Sequence, residues 1–202
     1  MAITNGYATL AEAKAYLSIA DNVDDTMLEN MVEAASRAID SIAGRRFYLD
    51  GSASARVYRG TNPYILIVDD IGTTTGLVLA LDTSGDGTYE TTLALNTDYV
   101  VEPFNAAAMG RPYTQLTLVG SQLLPWLLPN LRPSAQVTAR WGFPSVPDDV
   151  AQACLILTAD MYKRKDSVGG NLGISELGAI RMSPLGRDIA AMVRAYRREV
   201  IA

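Results

Sequence analysis

The spacing of apolar residues divides the chain into three stretches with different periods. Near the start, apolar residues recur every three or four positions, and this period returns after about residue 147. Between about residues 51 and 141, short runs rich in β-branched and aromatic residues alternate with turn residues. The first period is that of a helix with one buried face, and the second is that of strands. The pattern therefore predicts a helical unit with a β-rich region inserted in its middle.

Two helices are predicted in the first fifty residues. Thr9 and Glu12 have the spacing of a capping box, which begins a short helix that runs to about Leu17. A second helix begins at Asp24 or Asp25, because carboxylates stabilise the positive end of a helix. Its predicted apolar face consists of Leu28, Met31, Val32, Ala35, Ala38, Ile39 and Ile42.

The β-rich region contains seven runs with the composition of strands, separated by turn residues at spacings of roughly ten residues. This spacing predicts an antiparallel sandwich or barrel with mostly hairpin connections. The runs are 56–58, 64–68, 77–81, 89–95, 99–101, 115–119 and 136–141.

Two more helices are predicted after the β-rich region. The first runs from about Asp148 to Arg164 and is apolar on most sides, so we expect it at the centre of the helical unit. The last begins at Ser183-Pro184, where a capping residue precedes a proline. Between them, residues 166–182 show no sustained period, and we interpret them as a mobile loop that could dock a partner. The glycines of this candidate docking loop are Gly169, Gly170, Gly173 and Gly178.

We therefore predict an α+β fold, with a four-helix core and an antiparallel β-rich domain inserted between helices 2 and 3. Residues 1–50 form the first half of the helical core, and residues 51–146 form the inserted domain. Residues 147–202 form the second half, including the glycine-rich loop at 166–182.

The composition argues against catalysis. The chain has no histidine, which removes the commonest general base and the commonest metal ligand. Its serines therefore have no histidine to activate them. The single cysteine, Cys154, lies in an apolar helical run and is interpreted as a small core residue. We expect no enzymatic activity, no bound metal and no cofactor.

The charge is unevenly distributed along an acidic chain. The net charge is −5, yet bases outnumber acids by one in residues 147–202. An acidic protein is a poor nucleic-acid binder, because that affinity depends on Lys and Arg. No signal peptide and no run long enough to cross a bilayer is visible in the sequence. We expect no membrane association and synthesis in a cytoplasm.

Two acidic motifs have structural explanations. Residues 82–87 resemble the start of a calcium loop, but its twelfth position is Leu93 instead of a bidentate Glu. A tight hairpin turn explains the same residues. Asp69 and Asp70 are sequence neighbours, which rarely face each other across a cleft as a catalytic pair of carboxylates must. They are instead predicted to lie at the end of a strand.

One apolar segment remains open to two interpretations. Residues 123–129 are unusually apolar for a connection between strands. They either fold over the inserted domain as core or form an exposed tip that contacts a partner. The candidate contact residues of this tip are Trp126, Leu127 and Leu128.

Several motifs, taken in order, resemble a known family. The opening YATLAEAKAYL at 7–17, AASRAID at 34–40 and GRRF at 44–47 are similar to the N-terminal helical pair of the head–tail connector (adaptor) proteins of long-tailed bacteriophages. GFPSVP at 142–147, VAQA at 150–153 and MYKR at 161–164 resemble that family's return into the helical core. GDGTYE at 85–90 and GRPY at 110–113 resemble the β-region of its longer members.

This resemblance implies a structural protein of the virion. Its copies would form a ring, expected to be dodecameric, beneath the portal protein at the head–tail junction. The ring would extend the channel for DNA packaging and ejection, let DNA pass without sequence-specific binding, and provide a docking face for tail or stopper proteins. The particle would be a phage, a prophage or a phage-derived particle.

A ring requires two different faces of each subunit to meet. The last helix has an apolar stripe with arginines beside it, and it is the candidate contact with the portal or a neighbouring subunit. The candidate residues are Arg187, Arg194, Tyr196, Arg197 and Arg198.

Three alternatives remain open at this point. The first is a tail-completion or stopper protein. The second is a carbohydrate-acting domain that uses carboxylates of the inserted domain. The third is a monomeric ligand-binding module built on the same domain.

Overall fold

The computed structural model describes residues 3–60, 62–125, 133–165, 171–175, 178–181 and 185–198, and for those within 171–187 it describes the backbone alone. The chain divides into two compact units, Leu49–Ser145 and the combination of Met1–Tyr48 with Val146–Ala202. The described residues contain four helices and a six-stranded antiparallel sheet, so the predicted α+β class is confirmed. In chain order the sheet lies between the second and third helices, as predicted.

The helices are α1 (Leu10–Leu17), α2 (Asp25–Ala43), α3 (Asp148–Arg164) and α4 (Leu185–Val193). The strands of the sheet are β1 (Ser54–Tyr58), β2 (Ile65–Leu81), β3 (Thr91–Leu93), β4 (Tyr99–Glu102), β5 (Tyr113–Leu118) and β6 (Ala135–Trp141). A separate hairpin consists of β7 (Asn171–Ser175) and β8 (Gly178–Arg181).

The helical unit is assembled around α2 and α3, which pack against each other, while α1 and α4 contact both. The predicted capping box begins α1: Glu12 N–H donates to Thr9 Oγ1 (3.2 Å), and Thr9 N–H donates to Glu12 Oε2 (2.7 Å). The apolar face of α2 is fully buried at Leu28, Val32 and Ile39. The unit therefore has a core to which both ends of the chain contribute.

Two ion pairs connect the beginning of α2 to its neighbours. Lys14 Nζ of α1 lies 2.7 Å from Asp25 Oδ1. At the far end of α3, Lys165 Nζ lies 2.6 Å from Asp24 Oδ2, and Tyr162 Oη donates to the same oxygen (2.6 Å). The contacts of Asp24 with Tyr162 and Lys165 join residues that are more than a hundred positions apart in the chain.

The sheet has the strand order β1-β6-β2-β5-β4, and β3 pairs with the end of β2. Only the neighbours β2–β3 and β4–β5 are consecutive in the chain, so the prediction of mostly hairpin connections is wrong. The longest-range pairing is β1 with β6, which brings the two ends of the inserted unit together. One face of the sheet carries a core of large buried side chains that includes Leu79, Tyr99 and Trp141.

The predicted strands 64–68 and 77–81 are one continuous strand, β2, and Asp69-Asp70 lies inside it instead of at a strand end. The intervening residues include two aspartates and two glycines, which have low strand propensity. Register shifts between Ile67 and Val78 let β2 bend while it changes partner from β5 to β6. The bend explains why periodicity divided the strand in two.

The structure also corrects the prediction for residues 166–182. Part of this stretch forms the hairpin β7–β8, with Ile174 opposite Ala179 and Ser175 opposite Gly178. Each strand is only four or five residues long and contains a glycine, so neither produces a recognisable alternating pattern. The prediction of an irregular loop is therefore wrong for residues 171–175 and 178–181.

Candidate interaction surfaces

The C-terminal segment is held on the helical unit by one apolar face. Ile189 and Val193 of α4 are each 1% exposed. A 3₁₀ turn, Arg194–Tyr196, follows directly after the helix. The predicted regular helix therefore ends at Val193, and the residues after it project from a short turn and an extended segment.

The candidate arginines lie in different environments. Arg194 and Arg197 are exposed, whereas Arg198 is half-buried and its backbone N–H donates to the Ala43 carbonyl (3.2 Å). Arg187 lies in α4, and its side chain is outside the described residues. Arg194 and Arg197 are thus the members of the predicted set that the structure places at the surface.

Tyr196 makes contacts inside its own unit. Its ring packs edge-on against Phe47, with the centroids 5.6 Å apart, and its hydroxyl donates to Asp149 Oδ2 (3.4 Å). Phe47 is fully buried and also contacts the Tyr7 ring edge-on. The aromatic ring of Tyr196 therefore anchors the segment that carries the exposed arginines.

The remaining predicted surfaces are only partly described. Gly173 lies in β7 and Gly178 in β8, while Gly169 and Gly170 lie outside the described residues. The apolar tip formed by Trp126, Leu127 and Leu128 also lies outside them.

The acidic loop after β2 brings three carboxylates together. The side-chain oxygens of Asp82, Asp86 and Glu90 lie within 4.8 Å of one another. Asp82 is fully buried, and it accepts hydrogen bonds from the N–H groups of Gly85 (2.6 Å) and Gly87 (2.8 Å). These bonds close the tight turn that the sequence predicted.

Glu90 closes the other side of this loop. Its Oε1 accepts the N–H groups of Thr83 (3.0 Å) and Ser84 (3.2 Å) as well as the Thr83 hydroxyl. These hydrogen bonds lower the pKa of Glu90 below its ordinary value. The carboxylates are thus used to shape the loop.

Cys154 lies in the core, as predicted. It is fully buried on α3, and its Sγ lies 3.4 Å from Ser36 Oγ of α2. Burial raises the pKa of this thiol, which disfavours the nucleophilic thiolate. The residue contributes packing between the two central helices.

Two exposed apolar surfaces on the inserted unit were not predicted from the sequence. The turn between β4 and β5 exposes Phe104 and Met109, each by 69%. The sheet face opposite the core exposes Val57 of β1 by 51% and Val78 of β2 by 40%. Strand alternation could have identified the second surface if the pairing of β1 with β6 had been known.

No helix among the described residues combines the length and the hydropathy needed to span a membrane. No protein-family model matches the chain, and no curated protein matches it.

Solved structures with the same fold come from a phage-like particle. The chain is similar, at 20% identity and a TM-score of 0.59, to a chain in the neck of an empty gene transfer agent particle computed with C6 symmetry. That similarity covers 100% of this chain and 95% of the other. A chain in the virion of the native gene transfer agent particle matches at 21% identity and a TM-score of 0.55, over 96% of this chain and 90% of the other. The chain therefore shares its whole fold with components of such a particle.

Proposed function

We propose that this chain is a head–tail connector (adaptor) of a tailed phage or phage-derived particle. Its copies form a ring beneath the portal protein, extend the DNA channel and provide the docking face for the tail. The observation that carries the proposal is the similarity to a neck chain over 100% of this chain and 95% of that one. The similarity therefore extends over both units of this chain.

The charge distribution supports a role around DNA. The chain has a net charge of −5, and its acids are concentrated in residues 1–50, where they outnumber bases by four. A predominantly acidic lumen repels the phosphate backbone and lets DNA slide without being held. The proposal includes no reaction and no cofactor.

The exposed arginines are assigned to contacts between proteins. Arg194 and Arg197 project from a segment that Tyr196 and Val193 fix to the core. Charges on an anchored segment lose little freedom on binding, which favours an interface with acidic residues of the portal or of a neighbouring subunit. The ring is expected to contain twelve copies, a number that is compatible with sixfold symmetry.

Binding to portal rings tests the proposal. The purified protein is mixed with portal rings and, separately, with tail tubes, and both mixtures are imaged by negative stain. A connector adds a closed ring to one end of the portal and leaves tail tubes unchanged. Binding to tail tubes alone would instead identify a tail-completion protein, and binding to neither would refute the proposal.

A further inference from the structure

Four strands of the inserted unit form a continuous sheet with two open edges. They are β1, β6, β2 and β3 in spatial order, and each pairing is antiparallel. Among the described residues, no strand pairs with the outer edge of β1 or with the outer edge of β3. An unpaired edge presents backbone N–H and C=O groups that can accept another strand.

The pattern of hydrogen bonds shows which backbone groups these edges present. Beside the β2–β6 ladder, Asp82 N–H donates to the Ser134 carbonyl (3.0 Å). Hydrogen-bonded pairs alternate along an antiparallel ladder, so the pair Ala80–Gln136, two residues further in, is also hydrogen-bonded. The backbone groups of Gln136 therefore face β2, and those of its neighbours along β6 face β1.

This alternation shows which backbone groups of β1 lie at its outer edge. Val137 faces β1, and its partner there is Arg56. The backbone groups of Arg56 consequently face inward, and those of Ala55 and Val57 face outward. Both of these residues are exposed. The strand contains no lysine, proline or bulge that would protect its edge.

The outer edge of β3 follows in the same way. The backbone groups of Leu79 and Leu81 face away from β6 and towards β3, where their partners are Leu93 and Thr91. The N–H and C=O groups of Thr92 therefore face outward, and Thr92 is exposed. The open part of this edge is short.

The side chains at the two edges belong to one row across the sheet. Val57 lies opposite Gln136, Gln136 opposite Ala80, and Ala80 opposite Thr92. The row lies on the face opposite the core and contains no charged residue. A further strand at either edge would extend this row without burying a charge.

The two edges carry opposite charge. Beside β1, Arg59 is exposed, whereas Arg56 is ion-paired to Asp69 of the same copy (2.7 Å) and adds little charge to the edge. Residues 82–110, which contain β3, include five acids and no base. The β1 edge of one copy is therefore electrostatically complementary to the β3 edge of a second copy. Two β1 edges, or two β3 edges, are not complementary to each other.

We propose that the β1 edge of one copy pairs with the β3 edge of the next copy, so that the sheets continue around the ring. The proposal rests on the ring inferred above. Because three antiparallel pairings separate β1 from β3, the two strands run in opposite directions within one copy. Copies related by rotation therefore bring β3 of one and β1 of the next together as antiparallel strands. Head-to-tail contacts of this kind give a ring when the rotation between copies closes.

The contact is too small to assemble free copies, since it joins two outward-facing residues of β1, Ala55 and Val57, to one of β3, Thr92. Copies held side by side on a template pair more readily, because their effective concentration is high. The free protein should therefore expose both edges, and the assembled ring should cover them.

Disulfide crosslinking tests this register. A variant with Val57→Cys and Thr92→Cys is assembled on portal rings and oxidised, with the buried Cys154 left in place. Antiparallel partners have Cα atoms about 5.5 Å apart, within reach of a disulfide. A ladder of reducible multimers is expected. The matched variant Val57→Cys with Val78→Cys has both cysteines on the same face, but Val78 is not at an edge, and it should give no ladder.

Hydrogen exchange of the unmodified protein provides a second measurement. The amides of Ala55, Val57 and Thr92 should exchange at least about tenfold more slowly in the assembled ring than in the free protein. Rings that form without a ladder from the first variant and without this protection would overturn the edge pairing and leave the connector function standing. Absence of any ring from the wild-type chain would overturn both.

Discussion

Charged side chains on α2 hold the N-terminal segment of the chain. Glu33 Oε1 accepts the N–H groups of Thr4 (2.6 Å) and Asn5 (3.0 Å), and Arg37 donates to the Asn5 carbonyl (2.9 Å). The Tyr7 hydroxyl, next along the chain, donates to Asp40 on the same helix. Burial raises the pKa of Asp40, and the tyrosine and arginine beside it offset part of that effect. The charged side chains of α2 thus hold the N-terminal segment against this helix.

The hydroxyl of Tyr99 is a buried group without a hydrogen-bond partner among the described residues, and burial raises its pKa to about 12. Removing such a group relieves its desolvation, so Tyr99→Phe should leave stability unchanged or raise it by up to about 1 kcal/mol. Tyr58→Phe is the control, because that hydroxyl donates to Asp69 Oδ2 (3.0 Å), and it should lose about 1 kcal/mol. Urea denaturation measures both, and a clear loss in Tyr99→Phe would contradict the assignment.

Asp24 makes stability depend on pH. Hydrogen bonds from Lys165 and Tyr162 lower its pKa below the ordinary 3.8. Ionised Asp24 therefore stabilises the fold above about pH 4, and this contribution is lost as the pH falls through the lowered pKa. Asp24→Asn should have a lower urea midpoint than the wild type at pH 7, and the difference should shrink towards about pH 3.

The control for this prediction is Asp21→Asn, since the Asp21 oxygen that accepts the Val23 N–H (3.0 Å) has an equivalent in asparagine. The midpoint of this variant should follow that of the wild type at both pH values. A difference for Asp24→Asn that persisted unchanged at low pH would refute the linkage.

At the scale of elements, the bend in β2 depends on a close approach of two backbones. A Cβ atom at Gly72 would lie 2.5 Å from Leu49 Cδ1 and 2.9 Å from the Gly142 carbonyl oxygen. Both distances are shorter than van der Waals contact. Glycine therefore lets β2 pass next to the segment that follows β6 at the point where it changes partner.

Gly72→Ala should destabilise the inserted unit by about 1–3 kcal/mol, because the backbone at Gly142 cannot move away as a flexible side chain would. Gly51→Ala is the matched control in the same unit, since no atom lies within 4 Å of its Cβ position. Thermal denaturation of the two variants should differ accordingly. Equal melting temperatures would show that the bend tolerates a side chain.

Sequence patterns predicted some of these elements and not how the strands pair. Helical spacing and the Thr9–Glu12 pair predicted α1 and α2 correctly, because their signals are local. The runs around β1, β4, β5 and β6 were also predicted. The pairing of β1 with β6 was not predictable, since 76 residues (59–134) separate them and either strand could pair elsewhere. Of the candidate interaction residues, Arg194 and Arg197 lie at the surface. Periodicity did not show that Tyr196 packs on Phe47.

At the scale of the whole molecule, the two chain segments that form the helical unit differ in net charge. Acids outnumber bases by four in residues 1–50, and bases outnumber acids by one in residues 147–202. Such an asymmetry favours contacts between different faces of neighbouring copies. It fits the assignment of the C-terminal arginines to an interface.

The variant Arg194→Glu with Arg197→Glu should fold normally, since both side chains are exposed, but it should bind portal rings at least about tenfold more weakly. Circular dichroism checks the fold, and co-sedimentation with portal rings measures binding. Lys163→Glu reverses another exposed charge, on α3, and should bind like the wild type. Unchanged binding of the double variant would remove the arginines from the interface.

In vitro complementation tests the central claim most directly. Particles are produced from a genome in which this chain's gene is deleted, and DNA-containing heads and free tails are separated. The purified protein is then incubated with heads or with tails, the excess is removed, and the other component is added. The connector function predicts that heads treated with the protein join tails, whereas treated tails do not join untreated heads. Joined particles in the absence of the protein, or joining only after tails are treated, would contradict the account.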